Sequence, residues 1–427
     1  MWIGLLYSIM AFSTVAAMRT GRIAVPEDVA NETADRYRSL ARASMVLGDW
    51  SRCRPYTLEC FIAYSGGEFL RNSKEPSTQV KTWALLGLVM RLSMRMGLHR
   101  DPSHYPNITP YNGEMRRRIW HFLHQIDVLL SFELGLPAMM KQIQSDTKLP
   151  RNLHDSDFSV DSPSLPAGRP TSELTTVSYP ITKSSICSIF AVAADLSHAL
   201  KQPSYEQIMQ LDRELQENYS LIPPILRVRQ TTQSITDSPS LIMSRFNIEL
   251  MYQKTRCVLH RRYMTKSQQD QRYMYSRRTC IDAAMETLRH HADIWHATRP
   301  DGLLAQIRWY MSTLTTHDFV LAAMIICLEL KDNGLAGRTA MEGPGIKPSE
   351  RVYTCEDMME ALETSSRIWQ SSEDEIPDAY KASEAMSIMI KKIKGEKGGI
   401  LSHSLNHPAS TTSSKYPSHH SDSFLFE

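Results

Sequence analysis

The chain has 427 residues, 42% of them hydrophobic, and its 48 Lys or Arg and 46 Asp or Glu leave a formal charge of only +2. Proteins that bind nucleic acid or a membrane surface along their whole length usually carry a clear basic excess, so this balance argues against both classes. A mean hydropathy of -0.33 excludes a polytopic membrane protein, and 18 Gly and 22 Pro are too few for a collagen-like or fully disordered chain.

The first 18 residues are mostly apolar. A signal peptide needs a basic segment before its apolar stretch, and no Lys or Arg precedes Arg19. As a membrane span the stretch is short, and it contains Ser8, Ser13 and Thr14. We therefore expect a buried first helix, with a signal peptide or a membrane anchor as the alternatives.

Residues 79–96 are predicted to form a helix that is apolar on almost every side, which is typical of a core position. The sequence after it contains a complete stop signal. Gly97 can adopt the left-handed conformation that ends a helix, Leu98 can fold back onto the last turn, and Pro102 bars continuation.

A second helix is predicted over 114–134, where apolar residues recur at steps of three and four. Asp127 lies inside this apolar stripe, and a carboxylate in such a place is costly unless it is paired. We expect Asp127 to be buried against a basic partner on a neighbouring helix, with Arg91 and Arg95 as the candidates.

Further helical patterns follow a loop over 153–180 that is rich in Asp, Ser and Pro, and no strand pattern of any length occurs. These helices are predicted near 181–200, 204–219, 241–263, 272–296, 303–330, 353–371 and 376–394. The low-complexity sequence from residue 395 predicts a disordered tail over 395–427. The predicted fold class is all-α, a large array of antiparallel helices.

None of the enzyme-like motifs in the sequence has the spacing that its enzyme class requires. The run His-Arg-Asp at 99–101 has the letters of a kinase catalytic loop, but the Asn required five residues later is Pro106. The histidine pair at 290–291 does not form the His-Glu-x-x-His pattern of zinc proteases. We predict that the chain is not an enzyme.

The seven cysteines are odd in number and widely spaced, which is typical of free thiols in a reducing compartment. Cys53 and Cys60 have six residues between them, a gap found within zinc binuclear clusters. However, Trp50 stands where such a cluster needs another cysteine, and no Cys-x-x-Cys occurs anywhere. We expect two core thiols on a helix, and no metal or other cofactor in this chain.

The strongest basic run is Arg116-Arg117-Arg118. A nucleic-acid site would need more charge on one face and side chains that read bases. Basic residues are mildly unfavourable in the first turn of a helix, so their presence there suggests a specific partner. We expect a solvated helix start whose arginines pair with nearby acids, such as Asp155 and Asp157.

Between Cys60 and Asp157 the order and spacing of several motifs match one known pattern. The motifs are Trp83-Ala84-Leu85-Leu86-Gly87, Met96-Gly97-Leu98-His99-Arg100-Asp101-Pro102, Glu114 with Arg116-Arg117-Arg118-Ile119-Trp120, Ile126-Asp127, Leu134-Gly135-Leu136-Pro137, Leu149-Pro150 and Asp155-Ser156-Asp157. The stretch resembles the fungal-specific transcription factor domain, the middle regulatory region of zinc-cluster transcription regulators, and weaker likeness continues to about residue 330. The resemblance implies structural roles for Gly97, His99, Arg100, Asp101, Arg116, Arg117, Arg118, Trp120, Asp127, Gly135, Pro137 and Pro150.

The resemblance implies one helical regulatory domain with an N-terminal part over 1–158, a linker loop over 159–180 and a C-terminal part over 181–394. It further implies a nuclear regulator of transcription, with other transcription regulators or co-regulators as partners and no membrane contact. A small-molecule effector would act by favouring one of two helix packings. The 23 methionines are interpreted as core filling, with an adaptable apolar pocket as the alternative.

Members of this family usually hold zinc only in an N-terminal six-cysteine module that contacts DNA, and these 427 residues contain no such module. Either the gene model begins late or the regulator lacks its DNA-binding module, so DNA contact is expected only indirectly or in a longer form. The alternative is a non-DNA-binding partner or inhibitor module of related regulators. A secreted or membrane-anchored helical protein, or an unrecognised enzyme, is a third hypothesis.

Overall fold

The computed structural model describes residues 1–19, 26–71, 76–230, 233–307, 316–334, 352–372 and 379–399. Within these ranges the protein is built from helices and contains no β-strand, which confirms the predicted all-α class. The twelve α-helices of these ranges are Trp2–Arg19 (α1), Glu27–Leu47 (α2), Thr57–Arg71 (α3), Pro76–Arg95 (α4), Pro110–Glu133 (α5), Ser178–Ser197 (α6), Tyr205–Ser220 (α7), Pro239–His260 (α8), Met274–Ala297 (α9), Thr316–Gly334 (α10), Cys355–Gln370 (α11) and Ala379–Gly399 (α12).

Side chains in the connecting sequence fix several helix starts. The Thr109 hydroxyl accepts a hydrogen bond from the amide of Asn112, and Pro110 occupies the first turn of α5, where no amide hydrogen is needed. Ser204 and Gln207 form a reciprocal capping box at α7. Each cap satisfies amides that a free helix start would leave without an acceptor.

Helices α4 and α5 end in the same way. Gly97 has φ 76°, and the amide of Leu98 donates to the carbonyl of Ser93 at 3.0 Å. Gly135 has φ 68°, and the amide of Leu136 donates to the carbonyl of Ser131 at 2.8 Å. Left-handed backbone of this kind suits glycine, because a Cβ would be strained there. The stop predicted at Gly97 is confirmed.

Within the described ranges, the helices bury three main apolar cores in chain order. The first lies among α2, α3, α4 and α5, with Leu123 and Trp120 at its centre. The second joins α5 to α6, α7 and α8, and the third joins α8 to α9, α10, α11 and α12. Helix α8 contributes Ile248 to the second core and Phe246 and Leu250 to the third. Helices α5 and α8 therefore hold successive cores together.

Helix α1 confirms the expected first helix but is not buried all round. Its residues Ser8, Ala11 and Val15 are buried against neighbouring helices. On the opposite side the large apolar side chains of Trp2, Ile3, Leu6 and Ile9 are exposed. No helix within the described part of the chain is long and apolar enough to cross a membrane.

The segment expected to be a linker is bound back onto the sequence before it. Asn152 donates its side-chain amide to the carbonyls of Arg169, Pro170 and Glu173 at 3.3, 3.0 and 3.0 Å. Its carbonyl oxygen accepts the hydroxyl of Ser178 at 2.8 Å. The division of the chain at 159–180 stays a prediction.

Two predicted boundaries need correction. Residues 303–304 form a turn and 305–307 a short 3₁₀ segment rather than the start of an α-helix. Helix α10 begins at Thr316, while 308–315 lie outside the described residues. Helix α12 continues to Gly399, five residues beyond the predicted end at 394. The predicted disordered tail from residue 400 onward lies outside the described residues.

Candidate functional site

The family-like motifs meet around the carboxylate of Asp101, which is fully buried. Arg117 donates two hydrogen bonds to it, from Nη2 to Oδ1 at 2.7 Å and from Nε to Oδ2 at 2.9 Å. The amides of Ser103 and Lys148 donate to the same carboxylate, each at 3.0 Å. Burial alone would raise the pKa of Asp101, but these donors outweigh it and hold the pKa well below its ordinary value.

Each arginine of the basic run has a different partner. Arg116 donates to the carbonyl of Met96 at the end of α4. Arg118 lies 2.6 Å from a carboxylate oxygen of Asp155, and its guanidinium stands over the ring of Phe158 at 5.2 Å. The end of α4 and the segment that contains Asp155 and Phe158, which are distant in sequence, are thereby held against α5.

The predicted pairing of the run with nearby acids is confirmed for Asp155, but two parts of that prediction are wrong. Asp157 binds Arg169 instead, at 2.6 Å. The run is also largely covered rather than solvated, with Arg117 and Arg118 side chains 11% and 17% exposed. Because α5 begins at Pro110, the arginines lie beyond its first turn, where the helix dipole no longer disfavours them.

Glu114 is a buried member of this cluster, and no role was predicted for it from the motif. Burial raises the pKa of its carboxyl, although the amide of Arg151 donates to it at 3.0 Å. Its carboxylate oxygens also lie 3.8 Å from Arg117 and 3.6 Å from Arg118. This pairing could have been predicted from the sequence, because Arg117 and Arg118 follow Glu114 by three and four residues along one helix.

Asp127 is buried as predicted, but the expected basic partner is wrong. Its Oδ2 accepts the backbone amide of Met140 at 2.8 Å, and burial raises the pKa of its carboxyl. Arg91 donates instead to the carbonyl of Gly87, at 3.0 Å, and Arg95 is exposed. The physical reason is that a short 3₁₀ helix, Met139–Gln142, follows α5 and presents free amides at its start.

The remaining motif residues also lie around the junction of α4 and α5. The ring of His99 packs 6.2 Å from the buried ring of Trp120. Pro150 is also buried, and it directly precedes Arg151. Arg100 lies 3.2 Å from Asp146 on the surface. Gly135 and Pro137 are exposed in the turn after α5. The motif thus supplies caps, ion pairs and packing, and the role of each residue stays a prediction.

Asp212, His260 and Ser276 form a buried chain of hydrogen bonds in the same order as the Asp-His-Ser triad of hydrolases. His260 lies 2.8 Å from the hydroxyl of Ser276 and 3.2 Å from Asp212, whose carboxylate also accepts the Tyr275 hydroxyl at 2.6 Å. Ser276 and His260 have no exposed surface, so a substrate cannot reach the hydroxyl. The series ties α7, α8 and α9 together instead.

A cavity of about 640 Å³ lies between helices α6, α8, α10 and α12. Its interior is formed by apolar side chains that include Val258, Ile325 and Ile393, and its lining also contains basic residues. A volume of this size is within the range of pockets that hold small organic molecules. Among the described residues no cluster of His, Cys, Asp or Glu has the arrangement of a metal site.

The family model for the fungal specific transcription factor domain matches residues 4–220, just over half of the chain. The chain belongs to this family. The resemblance found in the motifs between Cys60 and Asp157 is thereby confirmed. The family's members are transcription factors, which are not enzymes, and no observation on the described residues indicates catalysis.

Curated relatives in this family are similar over almost the whole chain. The Zn(2)-C6 fungal-type transcription factor pigI of Monascus ruber is 37% identical over 92% of this chain and 47% of its own length. The Zn(2)-C6 fungal-type transcription factor mpsB of Macrophomina phaseolina is 34% identical over 94% of this chain and 54% of its own.

The equisetin cluster transcription factor eqxF of Fusarium heterosporum is 30% identical over 96% of this chain and 59% of its own length. The chain therefore spans about half the length of the curated relatives it matches. No solved structure matches the chain.

Proposed function

We propose that this chain is the regulatory region of a nuclear transcription regulator that controls a gene cluster. The observation that carries the proposal is the family match over 4–220, together with relatives at 30–37% identity that are named as transcription factors. One of these relatives is named for the equisetin cluster and another for the pyrrolocin cluster. DNA would be reached through a longer form or through a partner regulator.

Regulation would act on the junction between the second and third cores. Lys254 on α8 forms a 2.6 Å ion pair with Asp318 on α10, and both side chains are largely buried. The ammonium group also lies 5.0 Å from the ring of Phe132 and 5.3 Å from that of Phe190. A ligand or partner that favours one packing of α5, α6, α8 and α10 would shift the activity of the regulator.

The test is a reporter assay with the full chain fused to an unrelated DNA-binding module. The fusion is expected to change reporter expression relative to the module alone and to accumulate in the nucleus. A stable nuclear fusion that leaves the reporter unchanged would contradict the proposal. Metal analysis of the purified chain is expected to find less than one equivalent, since the proposal places zinc outside these 427 residues.

A partner or inhibitor module is the second candidate, and one surface favours it. The exposed residues Trp2, Ile3, Leu6 and Ile9 form an apolar strip on α1, and such strips often mark sites of protein contact. Co-expression of the chain with a related regulator should then reduce that regulator's reporter activity. An unchanged reporter with the chain present at equal abundance would exclude this candidate.

A further inference from the structure

The cavity between α6, α8, α10 and α12 has an apolar interior. Ala193 of α6, Val258 of α8, Ile325 of α10 and Ile393 of α12 all line it and are buried. Their surfaces offer no hydrogen-bonding groups from the side chains, so the interior suits an aliphatic or aromatic body. The half-exposed side chain of Met324 also lines it and adds a flexible wall.

Three of the four basic residues of the lining lie toward solvent. Arg262, Lys331 and Lys392 are exposed, and Arg261 is half-buried, so together they mark the rim of the cavity. Within the described part of the chain, no acidic residue belongs to the lining. Within the described residues none of the four forms an ion pair with a carboxylate. Burial lowers the pKa of Arg261, an effect that the nearby Cys280 and Cys257 oppose and the charge of Arg262 increases.

Two buried cations elsewhere in this protein have acidic partners. Arg245 lies 2.6 Å from Asp237, and Arg277 lies 2.9 Å from Glu329. Covered charges are normally paired in this way because desolvation of an unpaired ion is costly. Arg261 differs from these pairs, since it is half-buried and has no carboxylate at ion-pair distance within the described residues. With three exposed cations beside it, the lining suits an anion from outside the chain.

We propose that this cavity binds an apolar small molecule that carries a carboxylate group. The apolar body would lie among α6, α8, α10 and α12, and the carboxylate would lie among Arg261, Arg262, Lys331 and Lys392. The inference rests on the proposed function of the chain as a regulator that responds to an effector, and it names the effector's chemical class.

Leu321 connects the cavity to the junction between the cores. It lines the cavity and packs against both the second and the third core. It also lies three residues after Asp318 on α10, so the two side chains share one face of the helix. An occupied cavity would therefore bear directly on the packing that Lys254 and Asp318 stabilise.

The test compares three twelve-carbon probes on the purified full chain by isothermal titration calorimetry, each below its micellar concentration. Dodecanoate is expected to bind in one equivalent, dodecanol roughly tenfold more weakly, and dodecylammonium not at all, because charge-assisted contacts separate the three. Equal affinity for dodecanoate and dodecanol would overturn the assignment of the carboxylate site.

Variants locate the site. The pair Lys331→Met and Lys392→Met is expected to bring dodecanoate to the affinity of dodecanol, while Met324→Trp, which fills the cavity, should remove binding of both. Lys391→Met is the matched control, since this exposed neighbour does not line the cavity, and it should leave the preference unchanged. Equal effects of Lys391→Met and Lys392→Met, or full binding by Met324→Trp, would place the site elsewhere.

Circular dichroism spectra of all variants should match that of the parent chain, because the substituted lysines are exposed and Met324 is half-exposed. The binding measurement does not involve transcription. If dodecanoate does not bind while the reporter fusion is active, the carboxylate site alone fails. If dodecanoate binds while the fusion is inactive, the proposed function alone fails.

Discussion

Arg117 and Asp101 meet through two parallel hydrogen bonds of 2.7 and 2.9 Å, in a place where Asp101 has no exposed surface. Arg117 lies on α5 and Asp101 follows the stop of α4, so the pair joins two helices of the first core. A bidentate guanidinium–carboxylate contact has a fixed geometry that Lys cannot reproduce. The pair therefore sets the position of the turn as well as balancing the charge.

Arg117→Met should lower the free energy of unfolding by on the order of 3 kcal/mol, because it leaves a buried carboxylate without its cation. Urea denaturation followed by circular dichroism measures this loss. Arg100→Met is the control, since the Arg100–Asp146 pair is exposed and should contribute less than about 1 kcal/mol. Equal losses for the two variants would contradict the central role of Arg117.

Asp101→Asn should change how stability depends on acidity. The folded-state pKa of Asp101 lies below its value in the unfolded chain, so its stabilisation is fully present above about pH 5. It is lost as the pH falls below about 4, because the unfolded chain then binds a proton that the folded chain does not. The stability difference between the parent and Asp101→Asn, measured by urea titration, should narrow over that range. A constant difference would show that the pKa of Asp101 is the same in the folded and the unfolded chain.

His291 should produce a second acid-sensitive range. Its ring is buried, stacks on Phe319 at 4.1 Å and bonds to the hydroxyl of Ser365 at 3.0 Å. Burial lowers the pKa of His291 to about 3. The unfolded chain gains a proton below about pH 6.5 while the folded chain does not, so stability is lost as the pH falls toward 3.

Replacing His291 by Phe should flatten this part of the pH profile of the thermal midpoint. An unaltered slope in His291→Phe would mean that another group titrates there.

Asp127→Ala should cost roughly 1–3 kcal/mol, because it leaves the amide of Met140 buried without an acceptor rather than an arginine without a counterion. Asp127→Asn keeps an oxygen at that place and should cost less. Both are measured by urea denaturation. A loss in Asp127→Asn as large as in Asp127→Ala would show that the negative charge itself is needed.

Lys254→Met and Asp318→Asn should each destabilise the chain by on the order of 3 kcal/mol, since each leaves one buried charge without its ion-pair partner. The double variant should recover part of the loss, and the coupling free energy from this cycle measures the pair. Both single variants are also expected to shift the reporter activity of the fusion. If the losses of stability are additive and the reporter activity of the fusion is unchanged, the junction between the second and third cores has no regulatory role.

Local features were predictable from sequence, and contacts between distant segments were not. The stop at Gly97 and the burial of Asp127 follow from spacing and residue type within one or two helical turns. The partner of Asp127 depends on where the chain turns after α5, which periodicity does not specify. The Asp212–His260–Ser276 series spans separations of 48 and 16 residues and has no local pattern at all.

The cavity escaped prediction for the same reason. Its four walls come from helices spread over residues 193–393, and each contributes residues that look like ordinary core or helix-end positions. Only the folded arrangement shows that Arg262, Lys331 and Lys392 line a common space. The high methionine content was consistent with an adaptable apolar pocket, but it did not indicate where in the chain such a pocket would form.

Helix α8 faces two cores at once, and this has a genetic consequence. A premature stop codon between the end of α7 and residue 239 would remove one wall of the second core and all the buried residues of the third. The shortened product would expose Ile208 and Leu215 of α7, which pack in that core, and quality-control proteases would be expected to degrade it. Early nonsense alleles should thus behave as complete losses rather than as partly working halves.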